Sequence, residues 1–315
     1  MRRLFRLLRR PSSATGPGIP WLERLPIEDP SEREEELGIA REIARGLHAH
    51  PRPVPGFSRR MQAVIHAARR RRADELAEAL RGLDLALAFR LAEALASRAE
   101  LDREGLSQAA RKLAVTSPDR EEALAALALL SLRPAPEDLP LLERAALSPC
   151  GAPAAARAAS ALPEPRAALE SIVRRSTGLG RALAIEELLR ARGGGLDAEE
   201  GARLLRDTAE IADPLDRAWA SAPLLEALDA PALLRADPSL VEGVILCLES
   251  NARGGWRGGP GPGLGRLGGS IRAAEAILEG EWEEGVRERT ARAVLDAHPA
   301  PAGKLLRLAA SLSGA

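Results

Sequence analysis

The chain has 315 residues, 45 basic and 45 acidic side chains, no tyrosine, three phenylalanines and four tryptophans. Such scarcity of aromatic and β-branched residues argues against sheets. The balanced charge argues against a domain devoted to nucleic acid, which usually carries a basic excess to displace counterions from phosphates.

Arginine outnumbers lysine 43 to 2, which reads as the codon bias of a GC-rich genome rather than a demand for guanidinium chemistry. Two cysteines, Cys150 and Cys247, are too few for a disulfide framework in a chain of this size. No apolar run approaches the roughly 20 residues that span a bilayer, and Met1 to Arg10 lacks the uninterrupted apolar stretch of a signal peptide. A cytoplasmic location is the expectation.

Residues 1–30 carry Pro11, Pro17, Pro20, Pro26 and Pro30 with Gly16 and Gly18, a spacing that predicts an extended or disordered segment. Within it Arg2, Arg3, Arg6, Arg9 and Arg10 alternate with Leu4, Phe5, Leu7 and Leu8. This short basic amphipathic stretch suits an anionic membrane surface or nucleic acid, or is simply a frayed end.

A helical domain is predicted over 31–251. Ser31 and Glu34 have capping-box spacing, and Leu37, Ile39, Ala40, Ile43, Ala44 and Leu47 form an apolar stripe before His50-Pro51. After the proline-rich link Pro51 to Pro55, N-caps are expected at Ser58, Asp102, Ser117, Asp197, Asp213, Asp237 and Ser270. Most of the intervening segments are about 12 to 16 residues, the length of ordinary helices.

A small-residue pattern led by a charged residue recurs: Arg90-Leu-Ala-Glu-Ala-Leu, Glu122-Ala-Leu-Ala-Ala-Leu, Arg157-Ala-Ala-Ser-Ala-Leu, Arg181-Ala-Leu-Ala-Ile, Arg217-Ala-Trp-Ala-Ser-Ala and Arg272-Ala-Ala-Glu-Ala-Ile. The intervals are 32, 35, 24, 36 and 55 residues, mostly one helix pair with its turns. Alanines let helices approach closely, and leucines three or four places away fill the groove. The fold expected is all-α, an α-solenoid of helix pairs, with an irregular multi-helix bundle as the alternative.

Thr116-Ser-Pro-Asp-Arg-Glu-Glu-Ala-Leu-Ala-Ala-Leu-Ala-Leu-Leu, Glu137-Asp-Leu-Pro-Leu-Leu-Glu-Arg-Ala-Ala-Leu-Ser-Pro and Ala155-Ala-Arg-Ala-Ala-Ser-Ala-Leu resemble consecutive HEAT repeats of the short bacterial variety. The likeness is clearest over residues 116–230. It implies a curved binding surface and carries no catalytic residues.

Gly254 to Gly269 breaks the helical rhythm, and a glycine-rich loop is predicted over 252–269 with C-terminal helices over 270–315 packed on the same array. Gly263, Gly265 and Gly268 have G-x-G-x-x-G spacing, but the upstream Val244-Ile-Leu-Cys-Leu belongs to a predicted helix, whereas a dinucleotide fingerprint is entered from a strand. The loop reads as a flexible connector or as a partner-binding loop using Trp256, Arg257 and Arg266, tryptophan being a favoured interface anchor.

Arg59, Arg60 and Arg69 through Arg72 form a second basic cluster, offset by Glu28, Asp29, Glu32, Glu34, Glu35 and Glu36. The two groups read as paired or solvated, or as a nucleic-acid groove. His48, His50, His66 and His298 have no ligand set at metal spacing, and no G-x-S-x-G, C-x-x-C or H-E-x-x-H occurs. No cofactor or catalytic residue is predicted.

The function expected is therefore a non-enzymatic scaffold holding a protein partner. Two alternatives follow. One is an enzyme or DNA-binding protein on a HEAT-like scaffold, similar to alkylpurine DNA glycosylases or bilin lyases. The other is a membrane or nucleic-acid adaptor acting through the arginine-rich terminus.

Overall fold

A computed structural model describes residues 19–27, 29–47, 57–192, 196–254 and 268–297, with the backbone alone over 41–47 and at 254, 268 and 297. A 3-10 turn, Trp21–Arg24, precedes α1 (Pro30–Leu47), α2 (Phe57–Arg70), α3 (Ala73–Leu80) and α4 (Leu85–Ala96). Next come α5 (Arg103–Thr116), α6 (Arg120–Leu130), α7 (Leu139–Ala145), α8 (Ala152–Ala159), α9 (Pro165–Arg175) and α10 (Gly178–Arg192). The last six are α11 (Ala198–Ala209), α12 (Pro214–Ala227), α13 (Ala230–Ala236), α14 (Val241–Gly254), α15 (Gly268–Leu278) and α16 (Glu284–Ala297). Short 3-10 turns, Pro136–Asp138 and Pro238–Leu240, lead into α7 and α14. The protein is all-α, and no strand occurs among the described residues.

Aspartates start many of these helices. Asp84, Asp102, Asp119, Asp197, Asp213 and Asp229 each accept a backbone N–H from the first turn that follows. Their charge also suits the positive helix end. Asp102, Asp197 and Asp213 are among the predicted caps, and Asp237 caps the Pro238–Leu240 turn.

The serines predicted as caps lie elsewhere. Ser58 is inside α2 and Ser270 inside α15, while Ser117 closes α5 and leaves α6 to Asp119. At α1 the acceptor is Asp29, bound by the N–H groups of Ser31 at 2.8 Å and Glu32 at 3.1 Å, rather than Ser31. Where a serine and an aspartate lie within two residues of each other, the carboxylate makes the stronger, charge-assisted bond.

The end of the segment expected to be extended or disordered is packed instead. Trp21 and Leu25 are buried, the Trp21 N–H donates to Ser117 O at 2.9 Å, and Arg144 donates to Leu22 O at 3.1 Å. Proline spacing forbids a long helix there, but it does not stop an indole from finding a core built by distant residues.

Alternate helices stack. α4, α6, α8, α10, α12, α14 and α16 form one row in which each helix contacts the next. In the other row the contacts run α3 to α5, α7 to α9, and α11 to α13 to α15. Partners also pair across the rows, as in α5 with α6, α7 with α8, α9 with α10 and α15 with α16. This helix-pair packing is compatible with an α-solenoid.

The recurrent pattern marks the first row. Its first five copies fall on α4, α6, α8, α10 and α12, while the sixth, led by Arg272, falls on α15 in the other row. The wide last interval therefore carries a change of row. Ala123, Ala125, Ala126 and Ala128 of α6 and Ala154, Ala155, Ala156, Ala158 and Ala159 of α8 have no exposed surface, as close helix approach demands.

The leading charged residue also has a structural task. Glu122 accepts from the Ser117 hydroxyl at 3.1 Å, Arg181 Nε donates to Ser176 O at 3.1 Å, and Arg217 Nε donates to Ile211 O at 2.9 Å. Each ties down the turn that precedes its own helix. Arg157 instead reaches other helices of the row, Glu93 of α4 at 3.3 Å and Glu187 of α10 at 3.9 Å.

Both helices flanking the predicted 252–269 loop extend into it, α14 to Gly254 and α15 from Gly268. A Cβ at Gly269 would lie 2.1 Å from Leu225 O, and the Gly269 N–H donates to Glu226 Oε2 at 2.6 Å. The helix penalty of glycine is offset by this close approach to the end of α12. α15 and α16 pack against α12, α13 and α14, continuing the stack.

Two changes test the packing. At Gly105 in α5 a Cβ would sit 2.1 Å from the Ala68 carbonyl oxygen of α2, so Gly105→Ala is expected to lose about 1–3 kcal/mol by overpacking. Arg217 is 6 % exposed and binds Ile211 O and the Ser250 hydroxyl; Arg217→Met is expected to lose roughly 1–3 kcal/mol through unsatisfied buried acceptors. Urea denaturation of both variants reads these losses, and an unchanged midpoint refutes either one.

Candidate functional site

α13, the Pro238–Leu240 turn, α15 and the turn after α15 enclose a cleft of about 660 Å³. Pro231, Leu234, Pro238 and Ala276 supply apolar lining, and the half-buried Trp282 is part of it. Both prolines sit at or near helix starts, where a fixed φ costs nothing.

The polar rim is mixed. Arg235 and Arg272 contribute guanidinium groups, and Glu275, Glu279 and Glu281 contribute carboxylates. Arg272 also lies 3.9 Å from Glu226 of α12. The lining thus combines apolar and aromatic surface with charges of both signs.

No Ser, Thr, Cys, His or Lys lines the cleft among the described residues. Both cysteines lie elsewhere, free and buried; burial pushes the Cys150 thiol far up and the Cys247 thiol up to about 11. Neither is a reactive thiolate near neutral pH. No group of three or more His, Cys, Asp or Glu among the described residues is placed to hold a metal ion, and His66 lies 3.9 Å from Glu75 on exposed surface.

Four arginines of the second basic cluster, Arg60, Arg69, Arg70 and Arg72, have local partners. Arg60 donates to Ala79 O at 3.2 Å and Arg81 O at 2.9 Å, and Arg69 donates to Glu100 O at 3.3 Å. Arg70 pairs with Glu75 and Arg72 with Asp74, whose carboxyl the Arg72 hydrogen bond holds well below its ordinary range. Glu36, from the acidic stretch expected to offset this cluster, faces Arg120 of α6 instead.

Trp256, Arg257 and Arg266, predicted as partner contacts, lie outside the described residues, as do Arg2, Arg3, Arg6, Arg9, Arg10, His48, His50 and His298. Of the G-x-G-x-x-G glycines only Gly268 is described, as the first residue of α15, and the element before the gap is helix α14. A strand entry to that fingerprint is therefore missing among the described residues.

A second surface is built around Glu36. α1 contacts α4 and α10, and between them Glu36 meets the N-terminal ends of α6 and α8. Its carboxylate accepts from the Ser148 hydroxyl at 2.5 Å, and Ser148 Oγ in turn accepts the Cys150 N–H at 3.1 Å and the Gly151 N–H at 3.2 Å. The Cys150 thiol donates to Glu36 O at 3.1 Å, and Arg120 lies 3.9 Å from the carboxylate.

Glu36 is 1 % exposed, and its Oε1 has no hydrogen-bond partner. Burial is the largest influence and pushes its carboxyl above the ordinary 4.5; Ser148, Arg120 and Trp21 pull it down, and Glu32 pushes it up. Sequence reading placed Glu36 in an acidic run that pairs with the second basic cluster or stays solvated. Only its spacing from Ala40, one helical turn on, hints that it faces inward.

A raised folded pKa means that the cost of burying the charge is fully present above that pKa and fades as pH falls toward the unfolded value. Glu36→Gln, which cannot ionise, is expected to be at least as stable as the parent at pH 7.5. The difference should narrow toward pH 4.5, and denaturation midpoints across that range test it. A parent that gains on the variant as pH rises reverses the assigned sign. Compared with known proteins, the chain matches no family model, no curated protein and no solved structure.

Proposed function

We propose that the protein is a non-enzymatic protein-binding scaffold, a HEAT-like array of helix pairs that holds a partner peptide in the cleft between α13 and α15. The observation that carries this reading is the cleft itself, lined by Pro231, Leu234, Pro238, Ala276 and Trp282 together with Arg235, Arg272 and glutamates. Tryptophan and arginine are the residues around which protein interfaces concentrate their binding energy.

Support for the array comes from the recurrent pattern on alternate helices and from the stacking of helix pairs. Repeats of this kind present long surfaces for partners. No observation favours the glycosylase-like or bilin-lyase-like reading, and Arg60 and Arg69 of α2 are bound to local backbone acceptors. A cytosolic site of action belongs to the same proposal, supported by two free, buried cysteines. No helix among the described residues is long and apolar enough to cross a membrane.

The proposal is tested by affinity capture with the intact protein, Trp282→Ala and Arg235→Glu, read by mass spectrometry. A discrete partner retained by the parent should fall at least tenfold with either variant while circular dichroism stays unchanged. Equal capture by all three removes the cleft from the function.

A further inference from the structure

α2 ends in a conformation that glycine usually supplies. The Arg71 N–H donates to Ala68 O at 3.0 Å and the Arg72 N–H to Ala67 O at 3.1 Å, a pair of bonds that turns the chain out of the helix with Arg71 at φ 54°. The other positive-φ positions among the described residues, 82 and 178, are glycines. A Cβ is crowded against the following carbonyl in this region, so arginine costs the fold stability that glycine would not.

No contact among the described residues offsets that cost. Arg71 is exposed and makes no hydrogen bond or ion pair with any of them. Positive charge at the negative end of α2 is already supplied by Arg69 and Arg70 in its last turn. A strained, exposed side chain without a local task points to a partner outside the chain.

Three more arginines gather at this corner. Arg69 donates to Glu100 O at 3.3 Å and Arg103 to Ala96 O at 2.6 Å, which ties the last turn of α2 and the first turn of α5 to the turn after α4, where Arg98 lies exposed. A guanidinium that donates to one backbone oxygen retains further donors. The acidic side chains nearby are mostly engaged: Asp74 pairs with Arg72, Glu75 with Arg70 and Glu104 with Arg133, and Asp102 caps α5. Glu100 is left against Arg69, Arg71, Arg98 and Arg103, none of which forms an ion pair among the described residues.

We propose that Arg69, Arg71, Arg98 and Arg103 form a docking site for an acidic segment of a partner protein, whose carboxylates pair with these guanidinium groups. Discrete carboxylates can settle between the local Asp74, Glu75 and Glu104, whereas a continuous run of phosphates would also lie against them. The inference rests on the reading of the chain as a protein-binding scaffold, but on helices separate from the α13–α15 cleft.

The probe is a fluorescein-labelled peptide of about eight glutamates, titrated by anisotropy into the full-length protein at about 50 mM salt, where screening is weak. The parent should bind it and not the matching glutamine peptide. Arg71→Gly and Arg98→Gln should each weaken binding about fivefold, the loss of one charge-assisted contact. Arg59→Gln, at the exposed start of α2, should leave it within about twofold of the parent. Arg71→Gly should also raise the melting midpoint by about 1–4 °C as the strain is relieved. Binding and stability then move in opposite directions at one residue, which an arginine serving only the fold cannot produce.

No binding by the parent, undiminished binding by Arg71→Gly, an equal loss with Arg59→Gln, or a lower midpoint for Arg71→Gly overturns the proposal. So does a single-stranded oligonucleotide of similar charge that binds more tightly than the peptide and depends on Arg71, which assigns the site to nucleic acid instead. Trp282→Ala should leave peptide binding intact, so failure here is separable from failure of the cleft.

Discussion

When two helices approach closely, the side chains between them must be small or must interdigitate, and the rest of this structure follows from the first solution. Alanine lies on both faces of α6 and α8, so each helix of the row can be flanked by the one before and the one after. Larger side chains then sit where the groove widens, as Leu124, Leu127 and Leu130 do in α6 and Leu183 and Leu188 in α10. The apolar surface removed from water is continuous along the row, and no single pair could bury it alone.

Charge arranges the periphery of this packing without driving it. Arg203 and Glu170 at 3.2 Å and Arg166 and Glu200 at 3.4 Å link α9 to α11, while Arg289 binds Glu242 and Glu249 to link α16 to α14. Where such a pair is exposed on both sides, as Arg289 with Glu242 is, it contributes about 0–1 kcal/mol, less than one buried leucine. The arginines that matter more are buried at turns. Arg217 satisfies the Ile211 carbonyl and Arg181 the Ser176 carbonyl, which gives the leading charge of the pattern a turn-binding task in these two copies.

The cleft and the contact under α1 differ in how they arise. The cleft between α13 and α15 forms where the pattern changes row: Arg272 and Glu275, which in earlier copies would lie within the first row, line an opening there instead. The contact of α1 with α4 and α10 belongs to the regular part of the row, and Glu36 is buried within it.

Helical class, the aspartate starts at 102, 197 and 213, and the alternate-helix pattern were legible in the sequence because each depends on residues within one or two turns of one another. Boundaries were less so. Pro223 stands inside α12 without ending it, and glycines at both edges of the predicted loop are helical, since packing from neighbouring elements outweighs local preference there. Trp21, Glu36 and Trp282 could not be assigned from the chain alone, because what surrounds them comes from distant segments: Ser117 and Gly151 for Trp21, Ser148 and Arg120 for Glu36, α13 for the cleft that Trp282 borders. The sequence by itself determined which stretches become helices and that those helices must stack. The tertiary structure alone decided which charged and aromatic side chains are desolvated, since burial depends on neighbours a hundred residues away and not on the helix that carries them.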